Sequence, residues 1–406
     1  MQKNIVIVCD YAYVEGGAAK VAINTAVSLS KYNDTNVYFF AGSGEPCEEL
    51  LASKVHIKSL KMYDLLGNPS KINAFINGIF NVEAGTQFES FIRQIGIEDT
   101  IVHIHSWTKV LSSAVFDVCK RLKVKTFLTI HDYFLICPNG GCFNYPQKHI
   151  CEYNPMSLQC ILCNCDSRHY IYKLWRCLRQ IKQNSVINSF GDLHYIYISN
   201  FQKRHLEDRG LDLSNSSLLK NPIEAIDRYR ISCEDNHCYL YIGRVTEEKG
   251  TELFCQAVTN TCAKGIVVGD GPLLDSLKQK YPSVTFTGWL NKEQIREVLN
   301  CARALVFPTL WYEGSPLTIP EVQAYGIPCI VTDCSSATDD IADGDNGVIV
   351  NADVDQISNA IIRFKDDLYV KQLSINTYSY FDKNRLSKTH YVESLRKIYT
   401  AKGEEK

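Results

Sequence analysis

Short, unbroken apolar runs recur along this chain, and the series occurs twice. In the front half NIVIVCD, NVYFFA, TIVHIH, KTFLTIH and HYIYIS follow one another, and in the rear half CYLYIG, GIVVGD, VTFTG, ALVFP and PCIVTD repeat the arrangement. A strand with one wet face alternates apolar and polar residues. A continuous run is covered on both faces, which is the situation of a parallel strand with helices above and below it. Helical stretches between the runs, such as the one from about Gly17 to Ser30, complete the alternation. The chain is therefore expected to be α/β, each half a doubly wound parallel sheet. Its 406 residues exceed one ordinary core and suit two domains of roughly 200 residues each.

Composition removes several classes of function. Lys and Arg number 43 against 45 Asp and Glu, a net charge of −2, so no whole-molecule basic field attracts nucleic acid and no nucleic-acid partner is expected. No run of about 18 apolar residues occurs. Lys3 leads only into the short run Ile5 to Val8, which Asp10 closes before a signal segment could form. A cytoplasmic location follows as the expectation. The 17 cysteines are an odd number, which favours reduced thiols or metal ligands over a disulfide framework.

The chemistry-bearing stretch is FPTLWYEGSPLTIPEVQAYG, Phe307 to Gly326, with Glu313 and Glu321 eight positions apart around a turn that opens a helix. The spacing puts a loop carboxylate and a helix carboxylate on one rim. Between them Gly314, Ser315, Pro316 and Leu317 are expected to bring backbone N–H groups to the helix start, where orphan donors and the helix dipole favour an anion. Pro320 would break a helix interior, so the helix must begin late, near Thr318, with Pro320 in its first turn. Upstream, Arg244 and Lys249 lie on the loop of YLYIGRVTEEKG, followed by VVGDGP and FTGWL. Two cations at a helix start suit a diphosphate, although a solvated loop pair has the same pattern. For Glu313 the structural alternative is a cap on the helix that follows it.

These four motifs, in this order, resemble glycosyltransferase family 4, the retaining enzymes of GT-B architecture that use nucleotide-diphosphate sugars. The resemblance implies two Rossmann-like domains facing across a cleft. On this reading residues 1–221 form an acceptor-side domain with a Cys-rich insertion at 137–165, and 222–381 the donor-side domain, with the hinge near residues 220–224, where Pro222 after Asn221 favours an extended connection. A helical segment, 382–406, crosses back onto the first domain. The implied function is transfer of a hexosyl or N-acetylhexosaminyl group from a UDP- or GDP-sugar to a glycan or polyprenyl-linked acceptor in bacterial surface-polysaccharide assembly. The resemblance also implies roles. Arg244, Lys249 and the segment Gly314 to Leu317 would meet diphosphate and sugar, Glu313 a sugar hydroxyl and Glu321 the ribose diol. Gly16 and Gly17, at the first strand-to-helix turn, would face the donor across the cleft. His131 matches the histidine at the donor-sugar edge, and His105 and Asp132 would lie on the acceptor side. A sugar-nucleotide epimerase of the same architecture, or a silent glycan-binding member, are the alternatives. Neither Gly16 and Gly17 nor GDGP completes a dinucleotide fingerprint. The D-G-D at Asp343 to Asp345 reads as a turn, and no catalytic metal or other cofactor is expected.

Two features stand outside that reading. Cys137, Cys142, Cys151, Cys160, Cys163 and Cys165 crowd into 29 positions; at C-x2-C and C-x4-C spacings they can close a structural zinc site, or pack as free thiols. Directly after them RHYIYKLWRCLRQIK aligns Ile171, Leu174, Trp175, Leu178 and Ile181 on one helical face, with Lys173, Arg176 and Lys182 off it. Such a helix rests on the inner leaflet of a membrane as a peripheral contact, or lies buried against the first sheet.

Overall fold

The computed structural model describes residues 3–224, 228–382 and 386–401; the last five residues of the expected C-terminal segment lie outside them. The front half supplies β1 (Lys3–Tyr11), β2 (Thr35–Ser43), β3 (His56–Ser59), β4 (Thr100–Ile104) and β5 (Lys125–Ile130). A small hairpin of β6 (Phe143–Asn144) and β7 (His149–Ile150) intervenes before β8 (His194–Tyr197) and β9 (Ser216–Leu218). Seven of these form one parallel sheet, in the order β3-β2-β1-β4-β5-β8-β9. The rear half supplies β10 (Cys238–Ile242), β11 (Lys264–Val268), β12 (Thr285–Gly288), β13 (Ala302–Phe307), β14 (Cys329–Thr332) and β15 (Gly347–Val350). These make a second parallel sheet ordered β12-β11-β10-β13-β14-β15.

The apolar runs account for both sheets. Every residue of β4 and of β13 is buried, as covering on two faces requires. In each sheet the strand order reverses beside the first strand, between β1 and β4 and between β10 and β13. At such a switch point the connections leave in opposite directions and open a crevice at the carboxyl ends of the strands. Gly16, Gly17 and His105 follow β1 and β4 at the front switch, while Arg244, Lys249 and Glu313 follow β10 and β13 at the rear one.

Short contacts bind the two halves. Ser199 donates its hydroxyl to the Gly314 carbonyl at 2.8 Å, the Phe201 N–H donates to Asp339 at 3.0 Å, and Lys220 pairs with Asp340 at 2.5 Å. The helix Lys388–Ala401 packs on the front domain, with Tyr391, Val392, Leu395 and Tyr399 in the same core as Ile5, Ile7 and Ala22. At the connection between the halves, Ile223 N–H donates to the Leu386 carbonyl at 2.9 Å.

The helix Tyr170–Ile187 corrects the expectation that its apolar face is buried against the sheet. Ile171, Leu174, Leu178 and Ile181 are exposed, whereas Lys173, Arg179, Gln180 and Gln183 are buried. The cause is a demand for hydrogen bonds. Gln180 donates to the Leu135 carbonyl, Gln183 to that of Phe134, and Arg179 to that of Pro138. These bonds satisfy an irregular buried loop that no neighbouring strand serves.

The cysteines correct a second expectation. Among the described residues no group of three or more His, Cys, Asp or Glu side chains is placed to hold a metal ion, so Cys137, Cys142, Cys151, Cys160, Cys163 and Cys165 do not close the tetrahedral site. Lys173 takes the place beside them, its ammonium 3.4 Å from the Cys160 sulfur and 3.3 Å from that of Cys165. The Cys137 and Cys142 thiols hydrogen-bond to each other.

Candidate functional site

The rear wall is built on glycines. Gly250, in the left-handed region at φ 66°, caps the helix Thr251–Asn260, and a Cβ on it would stand 1.9 Å from the Pro308 carbonyl oxygen. Gly269, at φ 137°, approaches the Gly243 carbonyl as closely. Only glycine permits these crossings. They press the loops after β10, β11 and β13 into one surface, which brings Lys249 to Glu313.

Lys249 and Glu313 form an ion pair with side chains 14% and 18% exposed. The indole N–H of Trp311 donates to the same Glu313 oxygen at 2.8 Å, and the Lys249 ammonium stands 5.2 Å from the Trp311 ring centroid. Glu313 is therefore fixed by two donors and caps no helix. Arg244 does not join them; its side chain is 66% exposed, 3.8 Å from Glu248.

The helix after the loop runs Thr318–Gln323, so Pro320 does sit in its first turn. Within the loop, the N–H groups of Gly314, Ser315 and Leu317 have no hydrogen-bond acceptor among the described residues. Pro316 is a correction: proline has no N–H, so it fixes the turn and donates nothing. Burial raises the Glu321 carboxyl above the ordinary glutamate range, and the Lys20 ammonium partly offsets this. Lys20 belongs to the front helix Gly17–Leu29 and also meets Glu224 at 3.4 Å; Glu224 in turn pairs with Lys292. Glu321 thus lies where the front helix approaches the rear domain.

On the front wall, Gly16 at φ 117° precedes that helix, and a Cβ on either Gly16 or Gly17 would meet nothing within 4 Å. Both glycines border open space. His131 follows β5, half-buried, and its Nε2 lies 3.0 Å from Nδ1 of the buried His105. Desolvation pushes the His131 imidazole down to about 4 and His105 well below the usual range, so both rings are neutral near pH 7. Gly314 packs onto this wall: a Cβ there would lie 3.2 Å from Gln202 Nε2 and 3.8 Å from the His131 carbonyl oxygen. Asp132 accepts from the Phe134 N–H at 3.0 Å, and burial raises it to about 6. His103 is a core residue, held at 2.6 Å by the Tyr399 hydroxyl and at 2.7 Å by that of Thr129.

Several contributors escaped sequence reasoning. Lys20 lies one helical turn after Gly17, a readable position; Glu224 and Lys292 carry no local signal. Trp311, two residues before Glu313, orients that carboxylate. Buried Asp10 accepts from the N–H groups of Lys109, Val110 and Leu111, each at 3.0 Å, and so fixes the loop after β4. His105 Nε2 and the Tyr133 hydroxyl are buried without a protein partner among the described residues.

Two doubly wound domains, with switch points facing across a crevice lined by a lysine–glutamate pair, define the GT-B class. Residues 236–367, in the rear half, match the family model of glycosyl transferases group 1. Among curated proteins, the chain is similar to the UDP-Gal:alpha-D-GlcNAc-diphosphoundecaprenol alpha-1,3-galactosyltransferase of Escherichia coli, 29% identical over 153 residues. That stretch is 34% of this chain and 39% of the relative. Among solved structures, sucrose-phosphate synthase from Thermosynechococcus elongatus superposes with a TM-score of 0.72 at 16% identity over all of both chains. Anabaena HepE, in complex with UDP, does so with 0.66 at 11% identity over 98% of this chain and 100% of its own. These structural likenesses establish the GT-B fold.

Proposed function

We propose that this protein transfers a sugar from a nucleotide-diphosphate donor, UDP- or GDP-linked, to a glycan or polyprenyl-linked acceptor, with retention at the anomeric carbon, in bacterial surface-polysaccharide assembly. The observation that carries the reading is the pairing of Lys249 with Glu313, 64 residues apart, beside the amides of Gly314, Ser315 and Leu317, which donate to no protein acceptor among the described residues. The UDP complex of the HepE neighbour and the diphosphoundecaprenol-linked acceptor in the galactosyltransferase's name support this choice of donor and acceptor.

Lys249 pairs with Glu313 and offsets its charge. A donor diphosphate recruits the ammonium and the loop amides, and Arg244 closes on it from the mouth of the crevice. Glu313, steadied by Trp311, then accepts a hydroxyl of the transferred sugar, and Glu321 accepts the vicinal ribose hydroxyls. The Gly16–Gly17 turn gives the donor room. Neutral His131, oriented by His105, offers a hydrogen bond at the sugar edge, while Asp132 shapes the acceptor side. As the glycosidic bond breaks, charge grows on the leaving phosphate, and the fixed donors stabilise that transition state more than the ground state. The acceptor hydroxyl attacks on the same face, and a leaving phosphate oxygen takes its proton.

A panel of UDP- and GDP-sugars assayed for hydrolysis and transfer, with the product anomer read by NMR, tests this. Turnover of one donor with retained configuration is expected. Inverted product would refute the same-face route, and no turnover or binding of any nucleotide sugar would refute the reading as a whole.

A further inference from the structure

The helix Tyr170–Ile187 is amphipathic with its sides reversed. Its polar side chains face the protein and hold the 134–138 loop, while Ile171 (71% exposed), Leu174, Leu178 and Ile181 (57%) form an outward stripe. The stripe runs beside a second apolar face. On the helix Lys71–Ile79, Ile72 is 72%, Phe75 48% and Ile76 56% exposed. Trp175 clamps the two helices: its indole N–H donates to the Phe75 carbonyl at 3.0 Å, the two rings stand 6.2 Å apart, and a Cβ on Gly78 would meet the indole at 2.5 Å. The faces therefore present one fixed surface.

Its charge is one-sided. Neither helix contains an Asp or Glu, and together they carry five cations, Lys71, Lys173, Arg176, Arg179 and Lys182. Lys173 and Arg179 are buried, but Lys71 and the neighbouring Arg168 are exposed, and the Lys182 ammonium lies at 4.3 Å over the Phe80 ring. The flanking carboxylates are engaged, Asp64 by the Tyr11 hydroxyl at 3.0 Å and Asp166 by Arg176 at 2.8 Å; Glu83 heads the next helix. A broad apolar stripe rimmed by lysine and arginine matches the boundary between acyl chains and anionic headgroups. No helix among the described residues is long and apolar enough to cross a membrane.

We propose that the paired outer faces of the helices Lys71–Ile79 and Tyr170–Ile187 seat the protein on an anionic lipid bilayer. The inner face of the second helix holds the loop after His131 and Asp132, so the same helix joins lipid to the crevice wall. The surface adds a location to the proposed function without depending on it, because the assay below contains neither donor nor acceptor.

The full chain is sedimented with phosphatidylcholine vesicles and with vesicles rich in phosphatidylglycerol. The expected result is binding to the anionic vesicles, reduced by salt, and weaker by about tenfold or more in Leu174→Glu/Leu178→Glu and in Ile72→Glu/Ile76→Glu. The replaced side chains are exposed, and circular dichroism with a thermal melt checks the fold. Ile362→Glu/Leu368→Glu, exposed on the rear domain, is expected to bind like wild type. Failure of the wild type to sediment with anionic vesicles, or equal binding by the platform variants, overturns the proposal. So does a vesicle-indifferent dimer, seen by light scattering, that Leu174→Glu/Leu178→Glu dissociates, since the face would then cover a second copy.

Discussion

At the scale of single residues, the division of labour between the two glutamates is the sharpest claim. In the proposed mechanism Glu313, held by Lys249 and Trp311, meets the transferred sugar, so Glu313→Gln should lower kcat by about 100-fold with little change in KM. Under the same proposal Glu321 serves the nucleotide, away from the reacting bond. Its replacement by Gln should raise the donor KM about tenfold and spare kcat. Steady-state kinetics on the preferred donor checks both, and identical profiles for the two variants would contradict the assignment. The glycine crossings give a stability prediction. Gly250→Ala would place a methyl 1.9 Å from a backbone oxygen in a left-handed conformation, so unfolding in urea should show a loss of about 2–4 kcal/mol. A loss under about 0.5 kcal/mol would mean that the close packing of these loops is not required.

At the scale of elements, the strands were the most legible part of the sequence, because burial on both faces writes itself as an unbroken apolar run. The Glu313–Glu321 turn was legible too, since Pro316, Pro320 and Gly326 limit where a helix can start and stop. The helix Tyr170–Ile187 was not: periodicity identifies its apolar face, but which face is covered depends on the carbonyls of a loop 41 to 49 residues away. The cysteine spacing was compatible with a metal site, and the buried Lys173 that stands among the thiols lies on that same helix. Partners such as Glu224 for Lys20 meet only through folding of both domains, and no local pattern records them. The ends of β4 and β5 carry a further prediction. Burial pushes His103 down to about 3 and His131 to about 4, so the folded protein holds these rings neutral where the unfolded chain binds protons, at about pH 6.5. Their contribution is complete above that pH and is lost as pH falls toward 4, at about 1.4 kcal/mol per unit for each ring. Asp132, raised to about 6, acts in the opposite sense over about pH 4–6 and leaves the imidazoles dominant. The melting temperature should therefore fall between pH 7 and pH 5, and fall less in His103→Gln; a rise on acidification would contradict this.

At the scale of the whole molecule, the chain is two sheets with one shared purpose. The switch points converge because Ser199, Phe201 and Lys220 tie the front domain to Gly314, Asp339 and Asp340, and because the last helix returns to the first core. Leu395 is fully buried there, so Leu395→Ala should cost about 2–5 kcal/mol in the front domain's unfolding transition, and a second transition for the rear domain should be unmoved. The proposed function requires the crevice between the domains to be a nucleotide-diphosphate site. The direct measurement is calorimetric titration of the protein with UDP and with GDP, repeated on Lys249→Ala. Saturable binding of at least one nucleotide, weakened about tenfold or more without Lys249, is the predicted result. Binding of neither, or an affinity indifferent to Lys249, would contradict it.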